Sequence, residues 1–200
     1  MKIVVLADDI AFETIKRSNP GAEWIKVEQV NSFTDHTDAA AFFDLTQNAI
    51  ANDHPVVNKP LFLNSVIYPV LPGKNITRIN AWNGFLENST WEVSGKIGAE
   101  EQTIFDYLNK KIIKCIDEPG FIAVRIIAMI INEACYAKGE AVSTAAEIDI
   151  AMKLGTNYPY GPFEWAQKIG IQNIYLLLKE LSLMDLRYQP SPLLTKLSSN

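Results

Sequence analysis

Histidine, cysteine and basic charge are all scarce in this chain. Only His36 and His54 offer an imidazole, and both stand in polar, loop-like stretches ahead of the last strand-like segments. Cys115 and Cys135 lack the spacing of a metal site, and each has apolar neighbours, so both read as buried free thiols. The formal net charge is −5, which leaves no basic field to attract nucleic acid or an anionic membrane. The apolar run of MKIVVLADD is too short for the core of a signal peptide, and no stretch is long enough to cross a bilayer. A soluble, cytoplasmic protein is therefore expected. Disorder is excluded, because 48% of the residues are hydrophobic and supply a core.

The first part of the chain alternates short strand-like and helical segments. Lys2 to Ala7, Glu23 to Val27, Asp38 to Leu45 and Pro60 to Ser65 read as strands. A short strand within Ile76 to Phe85, then Thr90 to Ser94 and Lys111 to Ile116, complete the set. Ile10 to Arg17 and Glu100 to Lys111 read as helices, the second with Ile104, Phe105 and Leu108 inward. Such alternation predicts a mostly parallel α/β sheet over residues 1–116.

At Asp117 the character changes, and residues 117–200 read as all helical. Phe121 to Cys135 is apolar around most of its circumference, which marks a buried helix or the core of a subunit interface. Thr144-Ala-Ala-Glu147 is a capping box opening a second helix, with Gly155 placed to end it. Pro162 suits the first turn of a third helix that stops at Gly170.

These residues carry a resemblance. PGFI followed by Arg125, then Asn132-Glu-Ala, then EIDIAMKLGTNYPYGPFEWAQKIG, resembles the C-terminal domain of the 3-hydroxyacyl-CoA dehydrogenases. Arg187-Tyr188 and Pro190-Ser-Pro-Leu-Leu fit the same family. The resemblance implies a Rossmann-like dinucleotide domain in the first half, shortened here, followed by the all-α domain. It also implies NAD as cofactor, a 3-hydroxyacyl thioester as substrate and a histidine that takes the hydroxyl proton. A glutamate would orient that histidine, and a serine and an asparagine would hold the substrate oxygens.

The residues depart from that pattern. A dinucleotide loop needs glycines where the first strand meets the first helix. Ala7-Asp8-Asp9-Ile10-Ala11-Phe12-Glu13 has none; the first two glycines of the chain are Gly21 and Gly73. Asp8 and Asp9 are natural helix caps standing where a diphosphate would sit, so no cofactor is expected. Glu28 lies near the position of the ribose-binding acid but reads better as a surface carboxylate. Between Val30 and Asp38 there is no room for the family's helical insertion.

The catalytic histidine's position falls on Asn83, in Arg78-Ile-Asn-Ala-Trp-Asn-Gly-Phe. The glutamate's falls on Glu92, in Trp91-Glu-Val. The serine's falls on Val66, unless the loop shifts by one residue to Ser65. The asparagine's falls on Val124. Three roles remain open. One is a non-catalytic relative that forms a homodimer through its C-terminal helices and binds an acyl chain or acyl-CoA. Another is a working NAD-dependent dehydrogenase. The third is a structural subunit docked on an active enzyme.

Overall fold

The computed structural model of the chain describes residues 1–70 and 75–199. Two compact units divide between Phe121 and Ile122. The division lies beyond the Asp117 expected from composition, because residues 117–121 are tied by hydrogen bonds into the first unit.

Unit 1 is a seven-stranded sheet. Its strands are β1 (Lys2–Leu6), β2 (Glu23–Val27), β3 (Ala41–Asp44), β4 (Leu61–Leu63), β5 (Ile76–Ile79), β6 (Thr90–Gly95) and β7 (Lys111–Lys114). The order is β2-β1-β3-β4-β5-β6-β7, and every pair is parallel except β5 with β6. Successive side chains leave opposite faces, so each strand feeds two cores. Ile3, Val5, Phe43, Phe62, Ile79, Trp91 and Val93 point to one side. They meet Ile15 of α1 (Asp9–Lys16) and Ile104, Phe105 of α2 (Ala99–Tyr107). Phe43 stacks on Phe62 with ring centroids 4.5 Å apart. Val4, Phe42, Leu61, Leu63 and Ile76 form the other side with Phe33 and Ala49.

Parallel strands need a crossover, which is usually a helix. Here the crossovers from β2 to β3 and from β3 to β4 carry only short 3-10 turns, Val30–Asp35 and Ala51–Asp53. The sheet is therefore helix-covered chiefly by α1 and α2 on one side.

Unit 2 contains α3 (Ala123–Gly139), α4 (Ala145–Thr156), α5 (Pro162–Ile169), α6 (Ile171–Ser182) and α7 (Pro192–Ser198). Helix α3 packs on the other four. Asn132 of α3 is buried and binds the chain entering α7: its Nδ2 donates to Gln189 O (2.9 Å), and its Oδ1 accepts from Ser191 N (2.8 Å). The capping box at Thr144 forms, with Glu147 N donating to Thr144 Oγ1 at 3.3 Å and Thr144 N donating to Glu147 Oε2 at 3.1 Å. Gly155 does not end α4. The helix runs on to Thr156, and Asn157 closes it in the left-handed region (φ 56°). A short amide side chain tolerates that conformation, which frees the glycine from the task. No helix among the described residues is long and apolar enough to cross a membrane.

Candidate functional site

The polar groups of unit 1 gather on one face around the ends of β5 and β6. Arg78 and Asn80 leave the sheet on the same side, two residues apart. In the antiparallel register Arg78 lies opposite Ser94, and Asn80 N donates to Glu92 O at 3.0 Å. Asn80 Nδ2 also donates to Glu92 Oε2 at 2.9 Å, so an amide is seated on the carboxylate. Asn80 is 2% exposed; its Oδ1 and the Nε1 of neighbouring Trp82 are buried without a protein partner. An amide gives Glu92 a donor but has no site that takes a proton at neutral pH.

Asn83, the residue expected from the resemblance to stand at the histidine's position, is exposed on the turn that follows Trp82. Lys110 holds this turn from beneath: its buried Nζ donates to Leu86 O (3.2 Å) and Asn88 O (2.7 Å) and lies 4.6 Å from the centroid of the Trp91 ring. Burial pulls the Lys110 ammonium's pKa down.

Ser65 and Val66 are committed to a second buried cation. Ser65 Oγ donates to Tyr68 O at 2.8 Å. The carbonyls of Ser65 and Val66 accept from Arg78 Nε (2.7 Å) and Nη2 (3.0 Å). Arg78 is fully buried; it also bonds Asp117 and the carbonyl of Glu118, and the Phe121 ring lies 4.7 Å away. Asp117 in turn accepts from Ser94 Oγ and Val70 N, both at 3.0 Å. Burial lowers the guanidinium's pKa while Asp117 opposes that shift. A guanidinium remains charged in either case, so this is a paired charge tying five chain segments together. Val124, the family's asparagine position, is buried in the first turn of α3 in unit 2.

Neither histidine stands beside Glu92 in sequence or sheet register. His54 is nearly enclosed, its side chain 3% exposed against 5% for Asp44 at the end of β3. Nε2 lies 2.8 Å from Asp44 Oδ2, and Nδ1 lies 3.0 Å from Ile50 O. Asp44 Oδ1 accepts from Thr46 N and Oγ1 at 2.8 and 2.5 Å. Both ring nitrogens of His54 are thus occupied within the protein. His36 is half-buried on the turn after Val30–Asp35.

Two features of this face escape a linear reading. Asn80, not Asn83, is the residue on Glu92; the signal was its period-two spacing from Arg78 on a strand. The Asp44–His54 pair joins residues ten apart across an irregular crossover, and no sequence spacing announces it.

At the opposite end of the sheet, Asp8 caps α1. Its Oδ1 accepts from Ala11 N at 2.7 Å with extended backbone (φ −68°, ψ 171°). Asp9 pairs with Lys26 at 2.6 Å, and Lys26 reaches Glu28 at 3.7 Å. The hydrogen bond between them lowers the Asp9 carboxyl's pKa and raises that of the Lys26 ammonium.

Comparison with known proteins finds sequence similarity over unit 2 that continues into the end of unit 1. Residues 120–200 match the family model of the 3-hydroxyacyl-CoA dehydrogenase C-terminal domain. A 3-hydroxyadipyl-CoA dehydrogenase of Escherichia coli is 44% identical over 87 residues, 42% of this chain and 18% of that protein. A 3-hydroxybutyryl-CoA dehydrogenase of Bradyrhizobium diazoefficiens is 38% identical over 112 residues, 55% of this chain and 36% of that protein. The matched stretch thus spans well under two thirds of these curated relatives. Across the whole chain the likeness is one of fold. The crystal structure of FadB2 from M. tuberculosis superposes with TM-score 0.75 at 12% identity, covering 98% of this chain and 93% of that one. An (S)-3-hydroxybutyryl-CoA dehydrogenase from Ralstonia eutropha gives 0.74 at 14% identity, with 99% and 93% covered.

Proposed function

We propose, for a chain that belongs to the 3-hydroxyacyl-CoA dehydrogenase family through its residues 120–200, a role without turnover of hydroxyacyl thioesters, carried by a helical unit that pairs with a second copy. One observation carries the reading: the carboxylate of Glu92 holds the amide of Asn80 where a base would need an imidazole. Oxidation of a secondary alcohol requires a group that accepts the hydroxyl proton near neutral pH, and imidazole is the side chain suited to that. His54 spends both nitrogens on Asp44 and Ile50. Adding acetoacetyl-CoA and NADH to the purified chain is expected to leave the nicotinamide absorbance unchanged. Substrate-dependent decay above a blank would overturn the reading. Asn83→His with Val66→Ser and Val124→Asn is expected to stay silent, since no glycine loop stands at Ala7 to Glu13 to hold a nicotinamide cofactor.

Pairing is supported by the outer surface of unit 2. Ile122 and Ile126 are half exposed at one end of α3, and Ile150 and Leu154 are 53% and 84% exposed on α4. Their spacing of four puts each pair on one helix face. Large apolar side chains clustered in water mark an interaction surface. The crevice among Ile127, Ile130, Met152, Tyr160 and Trp165 has a cavity of only ≈ 10 Å³, about one water's room and too little for an acyl chain. A second copy of the same helices therefore suits unit 2 better than a lipid-like ligand within it. Light scattering at tens of micromolar is expected to give a dimer mass; a concentration-independent monomer would count against pairing.

A further inference from the structure

The family and the sheet of unit 1 both imply a dinucleotide at the β1–α1 junction, and the residues there do not fit one. A nucleotide's pyrophosphate is held by free N–H groups at a helix N-terminus, reached across a turn of glycines. Here the connection is Ala7-Asp8 alone, and Ala7 is 7% exposed within the core. Its β-carbon is part of that packing, so the backbone is not laid open as a glycine turn would be. Of the first-turn N–H groups of α1 that lack a helical partner, that of Ala11 is already answered by the Asp8 carboxylate at 2.7 Å, which puts a negative charge against that turn.

The flank is closed in the same way. The acid after β2, Glu28, would have to turn to a ribose, but it faces Lys26, which is already held by Asp9 at 2.6 Å. Glu13, one turn into α1, takes Lys16 at 3.4 Å. Asp8, Asp9, Glu13 and Glu28 therefore outnumber Lys16 and Lys26 around the corner, and a diphosphate would meet repulsion. The doubly wound arrangement also carries a third strand beyond the second. In this sheet β2 is the edge, with no further strand among the described residues.

We propose that the chain's own carboxylates occupy the β1–α1 corner as built-in anions, and that unit 1 takes no dinucleotide there. The inference rests on this corner alone and is independent of whether the face at Glu92 turns over. The test is amide NMR of the full chain titrated separately with NAD and inorganic pyrophosphate. The residues followed are Asp8 to Phe12. In the native protein neither ligand is expected to give saturating shifts there. In Asp8→Ser/Asp9→Ser, a serine hydroxyl keeps the helix cap while both charges vanish, and Lys26 is released. Circular dichroism confirms that this variant is folded. Pyrophosphate is then expected to shift the amides of residues 9–11 in a saturable way. Saturating NAD shifts in the native chain, displaced by ADP-ribose, would overturn the proposal. Silence of the folded double variant toward pyrophosphate would overturn the carboxylates as the cause of exclusion.

Discussion

Unit 1 and unit 2 resemble known proteins in different ways. The family model matches residues 120–200, essentially unit 2, and the 112-residue match to one relative reaches into unit 1, whereas over the full chain the superposed structures agree at 12–14% identity. The polar side chains explain the contrast. In unit 2 they make local devices that need particular residues at fixed spacing. Thr144 with Glu147 caps α4, and Glu164 Oε2 accepts from Gly161 N at 2.9 Å to open α5. Asp149 accepts from Phe163 N at 2.8 Å, so close to Gly161 that a β-carbon there would collide with it. In unit 1 the strands are buried on both faces and demand only short apolar runs, which many sequences satisfy. Its polar groups, Arg78, Ser94 and Asp117 among them, bond to one another. A fold held by pattern leaves little trace in sequence; a unit held by caps and close approach stays legible.

The largest effect should come from breaking the inward network of unit 1. Arg78→Met keeps the stem but removes the guanidinium's hydrogen bonds to Asp117 and to the carbonyls of Ser65, Val66 and Glu118. The charge left behind, Asp117, is 29% exposed and keeps its bonds from Val70 and Ser94, so the loss is that of the hydrogen bonds to buried carbonyls, about 1–3 kcal/mol. Urea unfolding followed by Trp fluorescence is expected to lose that much, since Trp24, Trp82 and Trp91 lie in unit 1. A loss under about 1 kcal/mol, the size of an exposed ion pair, would show that the node adds little.

The next test moves to unit 2 and separates its surface from its core. Ile126 is 52% exposed and Ile127 is 8% exposed, so neighbours in sequence should behave oppositely. Ile126→Asp is expected to give a folded monomer by light scattering, with helical circular dichroism retained. Ile127→Asp is expected to unfold or precipitate, because it buries an unpaired charge. A dimer that survives Ile126→Asp would move the interface elsewhere.

A smaller effect is expected at Asn80. Asn80→Ala deletes the donor to Glu92 and removes the unpartnered Oδ1 along with it. Removing one hydrogen bond of a half-buried carboxylate costs about 0.5–1.5 kcal/mol, and loss of the orphaned oxygen offsets part of that. Chemical denaturation is expected near the low end of the range. No change at all would mean that Glu92 is satisfied without Asn80.

How much was legible in the sequence follows the same division. The strands of unit 1 were readable from runs such as Lys2–Leu6, and the start of α4 from its capping box. The face at Glu92 was only half readable, because pairing across β5 and β6 sets Asn80 on the carboxylate, and register is not written in linear spacing. His54 looked like a loop residue for the same reason; its partner Asp44 comes from a strand end. Gly155 misled because a glycine near a helix end is a common stop, and the competing residue, Asn157, does the same work.

That last point yields the smallest and sharpest measurement. If Gly155 ended α4 in the left-handed region, alanine there would be strained and destabilising. In the structure Gly155 lies inside the helix, outside the positive-φ positions, and a β-carbon built on it meets nothing within 4 Å. Alanine then adds no clash and restricts the unfolded chain, which stabilises a helix interior by about 0.5–1 kcal/mol. Gly155→Ala is therefore expected to raise the melting temperature slightly. Asn157→Ala is expected to lower it, because a β-carbon without a compensating amide strains φ 56°. The reverse ordering of the two variants would restore Gly155 as the cap and shorten α4. Agreement in sign would fix the end of α4 at Asn157, in the loop that carries Tyr158 and Tyr160 toward α5.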